Sequence, residues 1–246
     1  FSCYIWNVNV FTEIAQALRK RIPKAKIIWG GSEMSSDYLL QGNFNDLEMD
    51  FCISGEGEVS FLEFLKNQTF GIPHLSKISG LAYRENSSVP FTINTKREAL
   101  AILHDVPSPF LTGVVDDEVL QRPKVEANIE TQRGCNLRCS YCTYHKDMDK
   151  ISYSSVERVV NEVVYVVNKG VKRVRFVDAN FSSSLDYSKE IIRAFIQKRF
   201  ELRLMFELIP GFIDEELARL LEEFSNLHPW NDITLGVGVQ SIKFET

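Results

Sequence analysis

The sequence predicts an α/β protein with two domains, a Rossmann-like (flavodoxin-like) sheet followed by part of a (β/α) barrel. Three observations lead to this prediction. Short apolar strands alternate with stretches of helical spacing, strands of the first half end in glycine loops, and a proline-containing stretch separates two such series. The expected boundaries are 1–93 for the first domain, 94–125 for a linker and 126–246 for the barrel.

The first series contains strands that lead into glycine loops. Its opening residues are an apolar strand, and Ile14, Ala17 and Leu18 share one face of the helix that follows. Glycines after buried strands are typical of a parallel, doubly wound sheet. The predicted elements are strand 1–5, helix 10–21, strand 26–29, strand 50–53, helix 59–66 and a hairpin of strands 78–84 and 89–93.

The second series consists of four strand–helix units in a row, which favours a barrel, here incomplete. The stretch before it carries Pro107, Pro109, Gly113 and Pro123, a composition typical of a linker. The predicted elements of the barrel are strand 126–131, helix 156–168, strand 173–177, helix 187–199, strand 203–208, helix 214–224 and strand 234–239.

The composition is that of a globular protein, with 44% hydrophobic and 25% charged residues among 246. A net charge of -5 provides no general attraction to phosphate backbones, so nucleic acid is disfavoured as a partner. No apolar run approaches the ~20 residues of a membrane span, and we expect a cytoplasmic protein without a membrane partner. Because the chain begins with Phe1 and stops soon after a strand, we expect a fragment cut at both ends.

Five cysteines occur, at positions 3, 52, 135, 139 and 142, and the last three are crowded within eight residues. This pattern suits metal ligation in a reducing compartment better than a disulfide framework. Thiolates hold iron–sulfur clusters, and a cubane normally takes four of them, so three would leave one iron open. The alternative is a zinc site completed by His145, which is disfavoured because structural zinc sites usually show two cysteine pairs.

The run from Cys135 through Cys139 to Cys142, with Tyr141 just before the last cysteine, resembles the signature of the radical S-adenosylmethionine (SAM) superfamily. The resemblance implies a 4Fe-4S cluster whose open iron chelates the amino and carboxylate groups of SAM. One electron, from a donor such as flavodoxin or ferredoxin, then cleaves SAM to methionine and a 5′-deoxyadenosyl radical. The cofactors carry this chemistry and the protein orients them.

The same resemblance suggests which further residues contact SAM. Tyr141 would lie near the adenine, and Asp178 would occupy the region that helps hold the methionine amino group. Glu207 and Gln240 lie where polar contacts to cofactor or substrate are made, at the carboxyl ends of barrel strands. The alternative for these polar residues is that each caps a helix or hydrogen-bonds a loop.

The first domain resembles the cobalamin-binding domain that precedes the barrel in one branch of the superfamily. Glycines at strand ends let a bulky ligand approach the backbone, and helix N-termini there stabilise a phosphate. The plain alternative is tight turns in a flavodoxin-like sheet. The histidine signature of cobalt-ligating cobalamin proteins is absent from this sequence. The expected cobalamin-binding residues are Ser2, Tyr4, Trp6, Gly30, Gly31, Ser32, Gly55, Glu56, Gly57 and Glu58.

These features predict a cobalamin-dependent radical SAM enzyme, a methyltransferase acting on a small molecule. One alternative is a cobalamin-dependent rearrangement or cyclisation, because the fold alone does not decide the chemistry. Another is a non-catalytic corrinoid or iron–sulfur carrier or redox sensor, which the open iron disfavours. An RNA methylthiotransferase is disfavoured because neither an added amino-terminal cluster domain nor a basic RNA-binding module is visible in the sequence.

Overall fold

The computed structural model describes residues 1–34, 47–86, 89–100, 103–142, 144 and 150–238. The chain divides into two compact units. Unit 1 comprises Phe1–Leu100 with Arg138–Asp149, and unit 2 comprises Ala101–Leu137 with Lys150–Thr246. Within the described ranges, no helix combines the length and apolar character needed to cross a membrane.

Unit 1 is built on a four-stranded sheet with the order β1-β2-β3-β4. Strands β1 and β2 are parallel, while β3 is antiparallel to both β2 and β4. Helix α2 ends at Gly71, whose left-handed backbone (φ 75°) suits glycine. The elements are α1 (Val8–Arg21), β1 (Ile28–Trp29), β2 (Phe51–Ile53), α2 (Gly57–Phe70), a 3₁₀ turn (Leu75–Lys77), β3 (Leu81–Tyr83) and β4 (Thr92–Ile93).

Two expectations for unit 1 need correction. The strand predicted at 1–5 is reduced to a single parallel bridge between Ser2 and Gly30. The chain leaves the sheet early because the Asn7 side chain accepts a hydrogen bond from Tyr4 N, at 2.7 Å, which favours a turn. The sheet is mixed, so a fully parallel doubly wound arrangement is not seen among the described residues.

Unit 2 is built on a parallel sheet of four strands in the order β5-β8-β9-β10, which is also their order along the chain. The predicted alternation of strands and helices is present. A separate two-stranded antiparallel pair, β6 and β7, precedes the first long helix. The strands are β5 (Ala127–Ile129), β6 (Gln132–Arg133), β7 (Ser152–Tyr153), β8 (Arg173–Phe176), β9 (Arg203–Leu208) and β10 (Asp232–Val237).

The helices of unit 2 cover one face of this sheet. They are α3 (Asp117–Leu120), α4 (Val156–Asn168), α5 (Leu185–Gln197) and α6 (Glu215–Asn226), with 3₁₀ turns at Leu103–Asp105, Phe181–Ser183 and Pro210–Phe212. Alternate strand residues such as Phe176 and Phe206, whose rings lie 4.9 Å apart, are buried in a core with these helices. The intervening residues, such as Arg203 and Glu207, are exposed on the other face.

Much of the predicted linker packs on unit 2. Phe110 and Leu120 belong to its hydrophobic core. Arg158 donates a hydrogen bond to the carbonyl of Val106 at 2.6 Å. On α3, the pKa of Asp117 is lowered by its hydrogen bonds with Lys169 and with Tyr165. From residue 103 onward this stretch is therefore a structural part of the second unit rather than a free connection.

Candidate functional site

A cleft of about 590 Å³ opens in unit 1 where β1 and β2 end. Phosphates and bulky cofactors bind at such strand ends because the glycine loops admit them close to the backbone. The exposed ring of Phe61 supplies an apolar wall. Seven of the ten predicted cobalamin-binding residues line the cleft, namely Ser2, Tyr4, Gly30, Gly31, Gly55, Gly57 and Glu58.

The first loop of the cleft is fixed by one side chain that sequence reasoning missed. Asn7 accepts a hydrogen bond from Tyr4 N at 2.7 Å and donates one to the carbonyl of Ser2 at 3.1 Å. The Tyr4 ring stacks on Trp6 with centroids 4.8 Å apart. Asn7 therefore holds both Ser2 and Tyr4 in the conformation in which they border the cleft.

The second loop requires glycine at position 31. Its φ is +102°, and an added Cβ would lie 2.5 Å from the carbonyl oxygen of Cys3 and 2.6 Å from the Cys3 nitrogen. Both of those atoms are backbone, so no flexible side chain can move aside to relieve the contact. The close approach holds the opening segment against the loop after β1.

Three predicted cobalamin-binding residues do not line this cleft. Trp6 is 75% exposed, and Ser32 is also exposed. The Glu56 carboxylate accepts a hydrogen bond from Leu100 N at 2.6 Å. This side chain therefore holds the end of the first segment of unit 1, Phe1–Leu100. Cofactor contacts by these three residues stay predictions.

The three motif cysteines are partly exposed and free of disulfides. Cys135 belongs to unit 2, and Leu137 N approaches its Sγ at 3.5 Å. Cys139 and Cys142 belong to unit 1, and Cys142 N donates to the Cys139 carbonyl at 3.1 Å. No cluster of three cysteine, histidine or acidic side chains suited to a metal exists in the part of the chain that is described.

The donor chemistry of this motif fits an iron–sulfur cluster, because accessible thiols can ionise and thiolates are the ligands such clusters take. Tyr141, between two of them, is 69% exposed, and a hydrogen bond with Cys139 raises the pKa of its hydroxyl. His145, on which the zinc alternative depends, lies outside the described residues.

The other two cysteines contrast with the motif. Cys3 and Cys52 are fully buried in the core of unit 1. Burial raises the pKa of both thiols, that of Cys52 to about 12. Because the thiolate is the form that ligates metal, these two buried side chains are poor ligands.

The loop that carries the motif leaves unit 2 through a narrow stem. Strands β6 and β7 pair so that Gln132 faces Tyr153 and Arg133 faces Ser152. Gly134 follows with φ +112°, and a Cβ there would lie 2.7 Å from the carbonyl oxygen of Lys150. The two ends of the loop 134–151 therefore meet at a point where only glycine fits. The sequence signal was a glycine directly before the first motif cysteine.

Asp178 lies at this stem. Its carboxylate accepts hydrogen bonds from Thr131 N at 2.8 Å, from the Thr131 hydroxyl at 2.6 Å and from Gln132 N at 3.0 Å. Burial raises its pKa to about 6 despite these bonds. Both oxygens accept hydrogen bonds from the chain before the motif, and a contact of Asp178 with the methionine amino group stays a prediction.

One further predicted SAM contact, Glu207, lies at the end of the sheet. Glu207, near the end of β9, is exposed, and its carboxylate lies over Gly236 of β10, where a Cβ would collide with it. This places Glu207 on the face opposite the helices. Gln240 lies outside the described residues.

The raised pKa of Asp178 predicts a pH effect on stability. In the unfolded chain the carboxyl has its ordinary pKa of 3.8, and in the folded chain its pKa is about 6. The protonated form therefore contributes stability that is complete below pH 3.8 and is lost as the pH rises through 6. At about 1.4 kcal/mol for each pKa unit, the full effect is on the order of 3 kcal/mol.

Asp178→Asn isolates this effect because it cannot ionise. We expect the free energy of unfolding of the wild type, measured by urea denaturation relative to Asp178→Asn, to fall between pH 4 and pH 7. A difference that is flat across this range, or that rises, would contradict the prediction.

Comparison with known proteins identifies the second half of the chain. Residues 129–246 match the model of the Radical SAM superfamily. The match begins at the last residue of β5 and includes all three cysteines of the motif. It agrees with the resemblance drawn from the cysteine spacing.

Two curated relatives extend over the first unit as well. The chain is 28% identical over 244 residues to the cobalamin-dependent radical SAM methyltransferase TokK of Streptomyces tokunonensis, covering 96% of this chain and 34% of TokK. It is 28% identical over 207 residues to the 2-(S-pantetheinyl)-carbapenam-3-carboxylate methyltransferase of Streptantibioticus cattleyicolor, covering 80% of this chain and 29% of that enzyme. The chain spans about a third of the length of these relatives.

A solved structure shares the fold. It is that of the radical SAM methyltransferase TsrM from Kitasatospora setae with tryptophan substrate and the SAM analogue aza-SAM bound. The TM-score is 0.72 at 20% identity, over 97% of this chain and 46% of that one. At this identity the likeness establishes an α/β fold with a parallel sheet.

Proposed function

Since residues 129–246 match the Radical SAM superfamily, we propose that this chain belongs to a cobalamin-dependent enzyme that cleaves SAM reductively and transfers a methyl group to a small molecule. The observation that carries the proposal is the glycine-lined cleft of unit 1, in a chain that also carries the three-thiol motif. Relatives named as cobalamin-dependent radical SAM methyltransferases support it.

In this proposal the motif cysteines hold a 4Fe-4S cluster. Cys135, Cys139 and Cys142 provide three thiolates, and the fourth iron is left for SAM. When bound, the cluster supplies the electron that cleaves SAM, received from a donor such as flavodoxin or ferredoxin. The exposed Tyr141 ring is available to the adenine, and Glu207, on the face opposite the helices, is available to polar groups of SAM or substrate.

The cleft of unit 1 is the proposed cobalamin site. Its glycines leave the backbone N–H groups approachable, and α2 begins at its edge with Gly57, where a helix dipole favours a phosphate. The corrinoid would serve as methyl carrier. Phe61 and Tyr4 give the cleft apolar surface of the kind that a corrin ring requires.

One experiment separates this function from its alternatives. The full-length protein is reconstituted anaerobically with iron, sulfide, hydroxocobalamin and a reductant, then given SAM labelled in its methyl group. Label on cobalamin together with 5′-deoxyadenosine supports methyl transfer. Formation of 5′-deoxyadenosine without labelled cobalamin supports a rearrangement or cyclisation, and neither product supports a carrier or sensor.

Tyr4→Ala is expected to weaken cobalamin binding about tenfold. The substitution removes a ring that borders the cleft, and buried aromatic contacts of this kind are worth on the order of 1–2 kcal/mol. The dissociation constant is measured by titrating hydroxocobalamin and following its absorbance.

Phe70→Ala is the matched control for this prediction, because Phe70 lies in the same unit, is 72% exposed and does not line the cleft. The proposed site predicts unchanged cobalamin affinity for this control. Equal affinity of wild type and Tyr4→Ala would place the cobalamin elsewhere.

A further inference from the structure

We propose that the connection from β8 to α5, together with the first turn of α5, is a clamp that positions Cys135, acting through Asp178, Ser183 and Tyr187. This inference rests on the proposed function, in which Cys135 is a cluster ligand. The clamp side chains touch neither cysteine nor cofactor in the described structure; they bind the two ends of the loop from which the motif projects. They are positioning residues.

The first contact fixes the strand that leads to Cys135. Asp178 binds both successive backbone N–H groups, of Thr131 and Gln132, and also the Thr131 hydroxyl. Asp178 is 1% exposed, and Thr131 and Gln132 are fully buried. Cys135 follows Gln132 by only three residues. The direction in which the chain leaves Gln132 therefore limits where the Cys135 thiol can lie.

The second contact joins the two sides of the stem. The Tyr187 hydroxyl lies 3.0 Å from the carbonyl oxygen of Thr131 and 2.8 Å from that of Ser154, and its single proton is shared between these two acceptors. Ser154 N donates to the same Thr131 carbonyl at 2.8 Å. Burial raises the pKa of Tyr187, so its hydroxyl keeps the proton that it donates.

The third contact joins the same two sides one residue further along. Ser183 donates to the side-chain oxygen of Gln132 at 2.5 Å, and its own oxygen lies 3.1 Å from the Tyr153 hydroxyl. The Gln132 amide donates in turn to the carbonyl of Asn180. Since Gln132 and Tyr153 face each other in the β6–β7 pair, Ser183 bridges a pair already joined through the backbone.

The free-energy cost of burying these polar groups indicates that the clamp does more than close the β6–β7 hairpin. A buried carboxylate is unfavourable even when hydrogen-bonded, as the raised pKa of Asp178 reflects. Two buried polar atoms beside the clamp, Ser154 Oγ and Asn180 Nδ2, have no hydrogen-bond partner within the described ranges. A short stem could be closed by apolar packing alone, whereas directional hydrogen bonds define one geometry for it.

Tyr187→Phe and Asp178→Asn test the clamp with little change of shape. Tyr187→Phe keeps the ring, which packs edge-on against Tyr153 at 4.9 Å, and removes only the hydroxyl. Tyr165→Phe is the matched control, since it removes a tyrosine hydroxyl from unit 2 whose partner is Asp117, at 2.9 Å, rather than the stem. All variants are made in the full-length protein.

The first measurement needs no cofactor. Amide hydrogen exchange of the peptides covering 131–135 and 150–155 is compared among the variants, and we expect about tenfold faster exchange in Tyr187→Phe and Asp178→Asn, as loss of one hydrogen bond implies. The melting temperature is recorded alongside, so that local loosening is separated from global unfolding. The control is expected to exchange at the wild-type rate.

The second measurement concerns the loaded enzyme. After reconstitution, the two clamp variants are expected to bind wild-type amounts of iron but to show a SAM KM raised about tenfold, with an altered cluster EPR signal when SAM is added. The clamp proposal is overturned if both variants show the amide exchange rate, the SAM KM and the EPR signal of the wild type. If the wild type itself neither binds iron nor cleaves SAM, the proposed function fails, and the exchange data still decide whether the three side chains hold the stem.

Discussion

Replacement of Cys135, Cys139 and Cys142 together by alanine is expected to abolish iron binding and SAM cleavage. These three thiols are the accessible soft donors of the chain, on a loop whose spacing matches the radical SAM motif. Without them the protein offers no thiolate set for a cluster, and no electron reaches SAM. Iron content, the visible absorbance of the cluster and 5′-deoxyadenosine, each measured after anaerobic reconstitution of the full-length protein, are all expected to fall to background.

The buried cysteines supply the matched control. Cys3→Ala and Cys52→Ala remove thiols that burial keeps protonated, so iron content of the reconstituted protein is expected to stay at the wild-type level. Some loss of stability is expected because both side chains are fully buried. If the triple variant still binds iron and cleaves SAM while a buried-cysteine variant does not, the assignment of the ligands is wrong.

The periodicity of apolar residues predicted the bounds of helices and strands correctly where the apolar face of the element is the face that the core buries. Helix 156–168 and strand 203–208 occur with the predicted bounds, because each has a regular apolar face that the unit 2 core buries. The strand predicted at 1–5 was wrong beyond Ser2. Its apolar composition is strand-like, but the Asn7 side chain captures the backbone of Tyr4 and turns the chain.

The candidate site was predictable only where function depends on residue type and spacing. The cysteine motif and most of the cleft-lining glycines could be named in advance, because iron ligation requires thiols and a close backbone approach requires glycine. The contacts of Asp178 and Tyr187 could not. Their partners lie 47 and 56 residues away in the sequence, and only the fold brings them together.

Gly134→Ala is expected to cause the second largest effect, a loss of stem geometry and with it of cluster loading. The residue combines φ +112° with a Cβ position 2.7 Å from the Lys150 carbonyl oxygen and 3.1 Å from Ile151 Cα. Backbone strain of this kind costs about 1–3 kcal/mol, and the backbone contact adds to it. We expect the free energy of unfolding to fall by about 2–4 kcal/mol and reconstituted iron to fall at least severalfold.

Substitutions of two other glycines of unit 2 distinguish backbone strain from steric contact of the added Cβ as the cause of the loss of iron loading. Gly170 has φ +95° but open space around it, so Gly170→Ala carries the backbone strain without the contact. Gly211 has neither feature, and Gly211→Ala is expected to be close to neutral. If the stem sets the position of Cys135, Gly134→Ala alone lowers iron loading, whereas Gly170→Ala lowers only stability. Equal iron loading in all three variants, measured where each remains folded, would show that the cluster assembles independently of the stem.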